Sequence, residues 1–311
     1  MNRRLALCLM ALAQPAGAFE LVFPAACVLG ETCYIQQYPD RDPGPEAADF
    51  TCGPLSYQDH DGTDIALPTR AAMATGVDVL AAAAGTVKGT RDGVADFTPA
   101  SPGKECGNGV VIDHGTGWET QYCHLKRGSV TVRPGDKVEI GARLGQIGQS
   151  GLAEFPHLHL SVRQGGKDVD PFAPGAGACG AADDDLWATP LPYQPGGILA
   201  LGLTDHVPDF EAIKAGLPSP DLPATAPALV VWAYLFGPRA GDALLLTIKG
   251  PSGAVLTERV MLEKTQALAF RAVGKRLLTA GWPPGRYEAR VELLRRGEAI
   301  ASESMGLTLM P

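Results

Sequence analysis

The absences in this chain narrow its function before any motif is considered. It has no CxxC pair, so thiolate ligation of zinc by closely spaced cysteines is excluded. It has no basic excess: 26 Lys and Arg stand against 34 Asp and Glu, a net charge of −8 that becomes −10 without Arg3 and Arg4. A basic nucleic-acid-binding surface is thereby excluded, and attraction to anionic lipid or anionic cell wall loses its source. After the N-terminal segment no apolar run approaches the roughly 20 residues of a membrane-spanning helix, so no integral membrane segment is expected in the mature chain. No internal repeat is evident, and histidine is scarce at six residues.

The N-terminus MNRRLALCLMALAQPAGA reads as a secretory signal peptide. Arg3 and Arg4 precede a short apolar run, and small residues at Ala16, Gly17 and Ala18 form a cleavage site, placing the leader at 1–18. The leader carries Cys8 away and leaves six of the seven cysteines: Cys27, Cys33, Cys52, Cys106, Cys123 and Cys179. An even number in an exported chain reads as disulfides. Cys106 and Cys123 flank two strands and a turn and are expected to pair. The other four allow three connectivities, among which the sequence does not choose.

With 311 residues, 38 Gly and 26 Pro, the chain suits two β-rich domains with an appendage rather than a helical fold. A cysteine-bearing, irregular arm is expected at 19–56. Short apolar runs separated by glycine turns then indicate a compact antiparallel sheet domain over 57–174. A Pro/Gly-rich connector over 175–225 carries one short helical turn at DFEAIKAGL. Six strands over 226–311, with turns such as GPSG and WPPG, predict a small immunoglobulin-like β-sandwich, whose partner is unknown.

The chemistry concentrates in the sheet domain, which holds five of the six histidines. In FPHLHLSV, His157 and His159 lie two apart on a strand and so face the same way, while Leu158 faces a core. Such a pair is either a metal site or a metal ligand beside a proton-transfer group. QDHDGTD places His60 four residues before Asp64, and YCHL ends a strand on His124. Zinc hydrolases draw three ligands from His and carboxylate and keep a fourth position for water. The set His60, Asp64 and His159 meets that chemistry and leaves a site of net +1, still able to acidify water. His124 and His157 then remain for proton transfer and oxyanion stabilisation. His114 reads as a turn residue, His206 as a surface histidine and Asp170 as structural, whereas Tyr122 and Asn108 suit either packing or a groove wall.

HxxxD, YCHL and HLH in this order, with GNGVVIDHG, the PGDKV turn and a closing VDP, resemble the lysostaphin-type (LytM-like) zinc metallopeptidase family over roughly 57–172. The resemblance implies one zinc ion on His60, Asp64 and His159, with His124 and His157 as the catalytic pair. It also implies a groove over an antiparallel sheet and a peptidoglycan peptide, stem or crosslink, as substrate. A secreted, periplasmic enzyme follows. The alternative is a non-catalytic scaffold of the same fold that activates other wall hydrolases. The sequence TRDGVADFTPASPGKE, between Gly89 and Cys106, is longer than the family's usual connection and is expected to flank the groove.

Overall fold

The computed structural model describes residues 18–175, 177–180 and 184–310. The leader read at 1–18 lies outside them except for Ala18. Ten strands make up the first unit: β1 (Tyr34–Gln37), β2 (Thr63–Ala66), β3 (Asp78–Leu80), β4 (Gly85–Arg91), β5 (Asn108–Gly115), β6 (Trp118–Leu125), β7 (Lys137–Val138), β8 (Arg143–Gln146), β9 (His157–Gln164) and β10 (Lys167–Asp168). Eight of them form one antiparallel sheet in the order β1-β2-β9-β6-β5-β4-β7, with β10 on β9; β3 and β8 pair separately. A short helix, α1 (Arg70–Thr75), is started by the Thr69 hydroxyl, which accepts from Ala72 N.

Alternation sets the faces of the central strands. Leu158, Leu160 and Val162 of β9 are fully buried and pack with Ile65, Tyr122, Val110 and Ile112. Each such leucine contributes roughly 1.5–3 kcal/mol of burial. The opposite face of β9 is left to His157, His159 and Ser161. One departure from expectation appears here. The arm at 19–56 is not wholly irregular, because Tyr34–Gln37 is buried throughout and pairs antiparallel with β2. Its disulfide Cys27–Cys33 closes a short loop, while Cys52–Cys179 ties it to the stretch after the sheet. Cys106 and Cys123 pair as expected.

The second unit begins earlier than the six expected strands. In the stretch read as a connector, GILALGLT forms β11 (Gly197–Thr204), and DFEAIKAGL forms α2 (Phe210–Ala215) between the Asp209 N-cap and a left-handed Gly216. Then follow β12 (Ala228–Phe236), β13 (Ala243–Gly250), β14 (Gly253–Met261), β15 (Leu268–Arg276), β16 (Gly285–Arg295) and β17 (Glu298–Leu309). Sheets β11-β12-β15 and β14-β13-β16-β17 enclose one core of alternating residues: Leu229, Val231, Ala233 and Leu235 against Leu244, Leu246, Ile248, Val291 and Leu293. The result is a two-sheet β-sandwich. The other face of β12 is also buried, because Trp232 and Tyr234 pack with Ile213 of α2. Burial on both faces accounts for the unbroken apolar run ALVVWAYLF. GILALGLT was read as connector because it lies among Pro, Gly and Asp; its pairing with β12, seven residue pairs long, is what makes it a strand.

Candidate active site

Three neighbouring strands bring the five residues together. Asp64 of β2 lies opposite His159 of β9, which in turn lies opposite Cys123 of β6, the residue before His124. His60 sits in the turn leading to β2, with its N–H bonded to Tyr57 O. His60 Nε2 stands 3.3 Å from Asp64 Oδ1 and 3.3 Å from His159 Nδ1, and His159 Nδ1 stands 2.9 Å from Asp64 Oδ1. His157 Nε2 lies 3.6 Å from the same carboxylate oxygen. The rings of His124 and His157 are 4.5 Å apart, centre to centre.

Backbone carbonyls settle the tautomers, because a carbonyl can only accept. Nδ1–H donates to Tyr38 O from His60, to Ser150 O from His124 and to Phe155 O from His157, each at 2.8 Å. In their neutral forms these three imidazoles therefore carry the lone pair on Nε2. His159 is reversed. Its Nε2 lies 3.0 Å from Asp61 Oδ1 and 3.1 Å from Ser161 Oγ, which leaves Nδ1 to face Asp64.

All five residues are buried. Burial pushes the His124 imidazole down to about 3, with its histidine neighbours adding to the effect, and burial likewise lowers His157. Both are neutral at physiological pH. For Asp64, burial works upward, but the imidazoles of His157, His60 and His159 outweigh it and hold the carboxyl well below the usual range. Burial also opposes charge on His159, yet hydrogen bonds to Asp61 and Asp64 raise it to about 9. The Asp61 and Asp64 carboxylates thus favour positive charge beside them, here at His159, as they would favour a bound cation.

The donor set fits a divalent ion. Ligands at about 2.0–2.1 Å from a tetrahedral zinc are roughly 3.3 Å apart. Two of the three separations are 3.3 Å and the third is 2.9 Å. Gly62 makes this convergence possible, since a Cβ there would lie 2.5 Å from His159 Nε2 and 2.8 Å from Leu160 O.

The site opens into a cleft of about 220 Å³ lined by Tyr57, Asp61, Gln121, Leu152 and Arg163 with the Cys106–Cys123 pair. The long loop is pinned beside it. Asp96 accepts from Gln149 N and Arg127 N, and Asn108 exchanges hydrogen bonds with both backbone groups of Val94. Asn108 is therefore a buried anchor, and Tyr122 is a core residue whose hydroxyl accepts from Ala82 N. His114 is satisfied by Ala84 O and Thr120, and His206 is exposed beside Asp205. Asp170 is buried and accepts from Phe172 N. Sequence reasoning missed Asp61 and Ser161, the partners of His159. Their signal was position: one lies next to His60 and the other two residues beyond His159 on the same strand face.

A three-residue His/Asp donor set that could hold a metal ion thus lies beside two neutral imidazoles at a cleft over an antiparallel sheet. Residues 58–171 match the model of Peptidase family M23, and this segment is a domain of that family, of the LytM type. The peptidoglycan DD-endopeptidase ShyA of Vibrio cholerae is 34% identical over 111 residues, 36% of this chain and 22% of the relative. The DD-carboxypeptidase/endopeptidase Mpg of Neisseria meningitidis serogroup B is 36% identical over 99 residues, 32% of this chain and 22% of the relative. The chain thus spans about a fifth of the length of these curated relatives. Among solved structures, the catalytic domain of the prophage-encoded M23 protein EnpA from Enterococcus faecalis is similar at 24% identity and a TM-score of 0.36, covering 51% of this chain and 100% of that one.

Proposed function

We propose that the protein is a secreted zinc metalloendopeptidase that hydrolyses peptide bonds in the stem peptides or crosslinks of bacterial peptidoglycan. The observation that carries this reading is the convergence of His60 Nε2, Asp64 Oδ1 and His159 Nδ1, with the two neutral imidazoles beside them. Zinc bound by these three atoms, with a fourth position open, supplies an acidified water and a polarised carbonyl. The remaining work belongs to the chain. An imidazole held by Nδ1–H to a backbone carbonyl presents Nε2 as a proton acceptor, and both His124 and His157 are held so. The ring that takes the proton from the attacking water becomes a donor, first toward the oxyanion and then toward the leaving amine. Asp61 and Ser161 orient His159 from behind.

Peptidoglycan as substrate is supported by the names of the relatives ShyA and Mpg. Export to the periplasm rests on the leader read at 1–18, and no helix among the described residues is long and apolar enough to cross a membrane. Purified protein should contain about one zinc per chain. Incubation with sacculi should release soluble muropeptides, which His124→Ala and His159→Ala should not do, with His159→Ala also losing zinc. Equal effects of wild type and His124→Ala on sacculi would instead indicate the non-catalytic scaffold. The β-sandwich is assigned no partner, since fold alone names none.

A further inference from the structure

Strands β5 and β6 pair regularly except at two places, one beside their hairpin turn between Asp113 and Gly115 and one at the far end beside the site. Asn108 faces Leu125 and Val110 faces Tyr122, so Gly109 alone opposes both Cys123 and His124, a β-bulge in β6. Cys123 is the direct partner of His159, and direct partners share a face of the sheet. Strict alternation would therefore send His124 to the opposite face, into the core with Tyr122. Instead His124 adopts φ 62°, left-handed backbone that few residues other than glycine hold, and its ring swings back beside His157.

A residue stays in such a conformation only where its surroundings over-determine it. Three connections do so here. His124 N–H donates to Cys106 O at 2.8 Å, Nδ1–H donates to Ser150 O at 2.8 Å, and the Cys106–Cys123 disulfide ties the bulge to the chain just before β5. The same backbones are crowded together: a Cβ on Gly107 would lie 2.4 Å from Ser150 O, and one on Gly109 would lie 2.9 Å from Cys106 Sγ. The turn and the ladder already set β5 against β6, so the staple acts where the ladder fails, at the bulge. Cys106 and Cys123 both line the cleft, where a small reductant can reach them.

We propose that the Cys106–Cys123 disulfide is a positioning device for His124, so that the site is competent only while this bond is oxidised. A dithiol reduces it through a mixed disulfide: two electrons and two protons pass to the protein, which ends with two thiols, and the reagent ends as its own disulfide. Released from Cys106, the 123–124 segment relaxes toward ordinary extended backbone and the imidazole leaves His157. The inference rests on the reading of His124 as catalytic, so ring position and activity are measured separately.

The test compares zinc-loaded wild type with Cys106→Ser/Cys123→Ser, and with Cys27→Ser/Cys33→Ser as a control on the other short-range pair. Histidine-labelled NMR should show the His124 ring signals moved and broadened in the first variant, with His60, His159 and zinc content unchanged. On a defined crosslinked muropeptide, kcat should fall about 10-fold or more while KM stays within about 2-fold. The control should match wild type. Unmoved His124 signals in the folded, zinc-loaded variant overturn the proposal. A moved ring with unchanged kcat upholds the positioning but overturns both the dependence of the site's competence on this bond and the catalytic assignment of His124. If the double variant does not fold, wild type is titrated with a dithiol and its thiols are mapped by alkylation. His124 signals that follow any pair other than Cys106 and Cys123 overturn the proposal.

Discussion

Replacing Gly62 by alanine tests the convergence of the three ligands through one added carbon. The new Cβ would meet His159 Nε2 at 2.5 Å, His159 Cε1 at 2.7 Å and Leu160 O at 2.8 Å. Carbon contacts settle near 3.5 Å, so the ring must retreat by about 1 Å. Leu160 O cannot yield in its place, because Leu160 is paired with Thr63 in the β2–β9 ladder. A retreat of that size carries His159 Nδ1 out of a cluster whose separations are only 2.9–3.3 Å, and disturbs the Asp61 and Ser161 contacts at 3.0 and 3.1 Å. The expected loss is roughly 10–100-fold in zinc affinity, with overpacking costing about 1–3 kcal/mol of stability. Zinc affinity is read by competition with a chromophoric chelator and stability by urea unfolding of the metal-free protein. An alanine variant that binds zinc within about 2-fold of wild type and unfolds at the same urea concentration would refute the placement of His159.

Asp61→Ala should weaken zinc binding by about 10-fold, the lower end of such effects, because Ser161 Oγ still contacts His159 Nε2; chelator competition would show it, and an unchanged affinity would remove Asp61 from the site. Leu158→Ala should cost about 2–5 kcal/mol in urea unfolding while zinc content holds, since the side chain lies on the core face of the strand that carries His157 and His159. Loss of zinc at full stability would contradict that division of faces. Burial pushes the Asp170 carboxyl up to about 6, so the native protein holds this proton more tightly than the unfolded chain, whose value is about 3.9. Its contribution is fully present below about pH 4 and is lost as pH rises through about 6, by at most roughly 3 kcal/mol. Asp170→Asn should remove that fall from the curve of stability against pH, and an identical slope in both proteins would count against it.

Much of this site was legible in the chain because its signals are short-range. The two-residue spacing of HLH sets His157 and His159 on one face of β9, and HDGTD keeps His60 and Asp64 within one turn and strand start. The mainly β character and six of the seven sandwich strands were carried by periodicity and glycine punctuation. GILALGLT was not, because Pro, Gly and Asp surround it and its pairing partner begins 24 residues after its last residue. YIQQ was hidden in the same way, since only pairing with β2 defines it as a strand.

By itself the sequence determined which residue types are available for the chemistry and which neighbours share a face, because spacing along a strand is a local property. Only the tertiary structure decided which nitrogen of each imidazole is free, since the carbonyls of Tyr38, Phe155 and Ser150 that hold the others come from the arm and from loops. It also decided that Cys52 pairs with Cys179 and Cys27 with Cys33, contacts that spacing left open. Above all it decided the side on which His124 lies. Alternation along β6 would have turned it into the core; a bulge against Gly109, held from Cys106 and Ser150, turns it toward His157 instead.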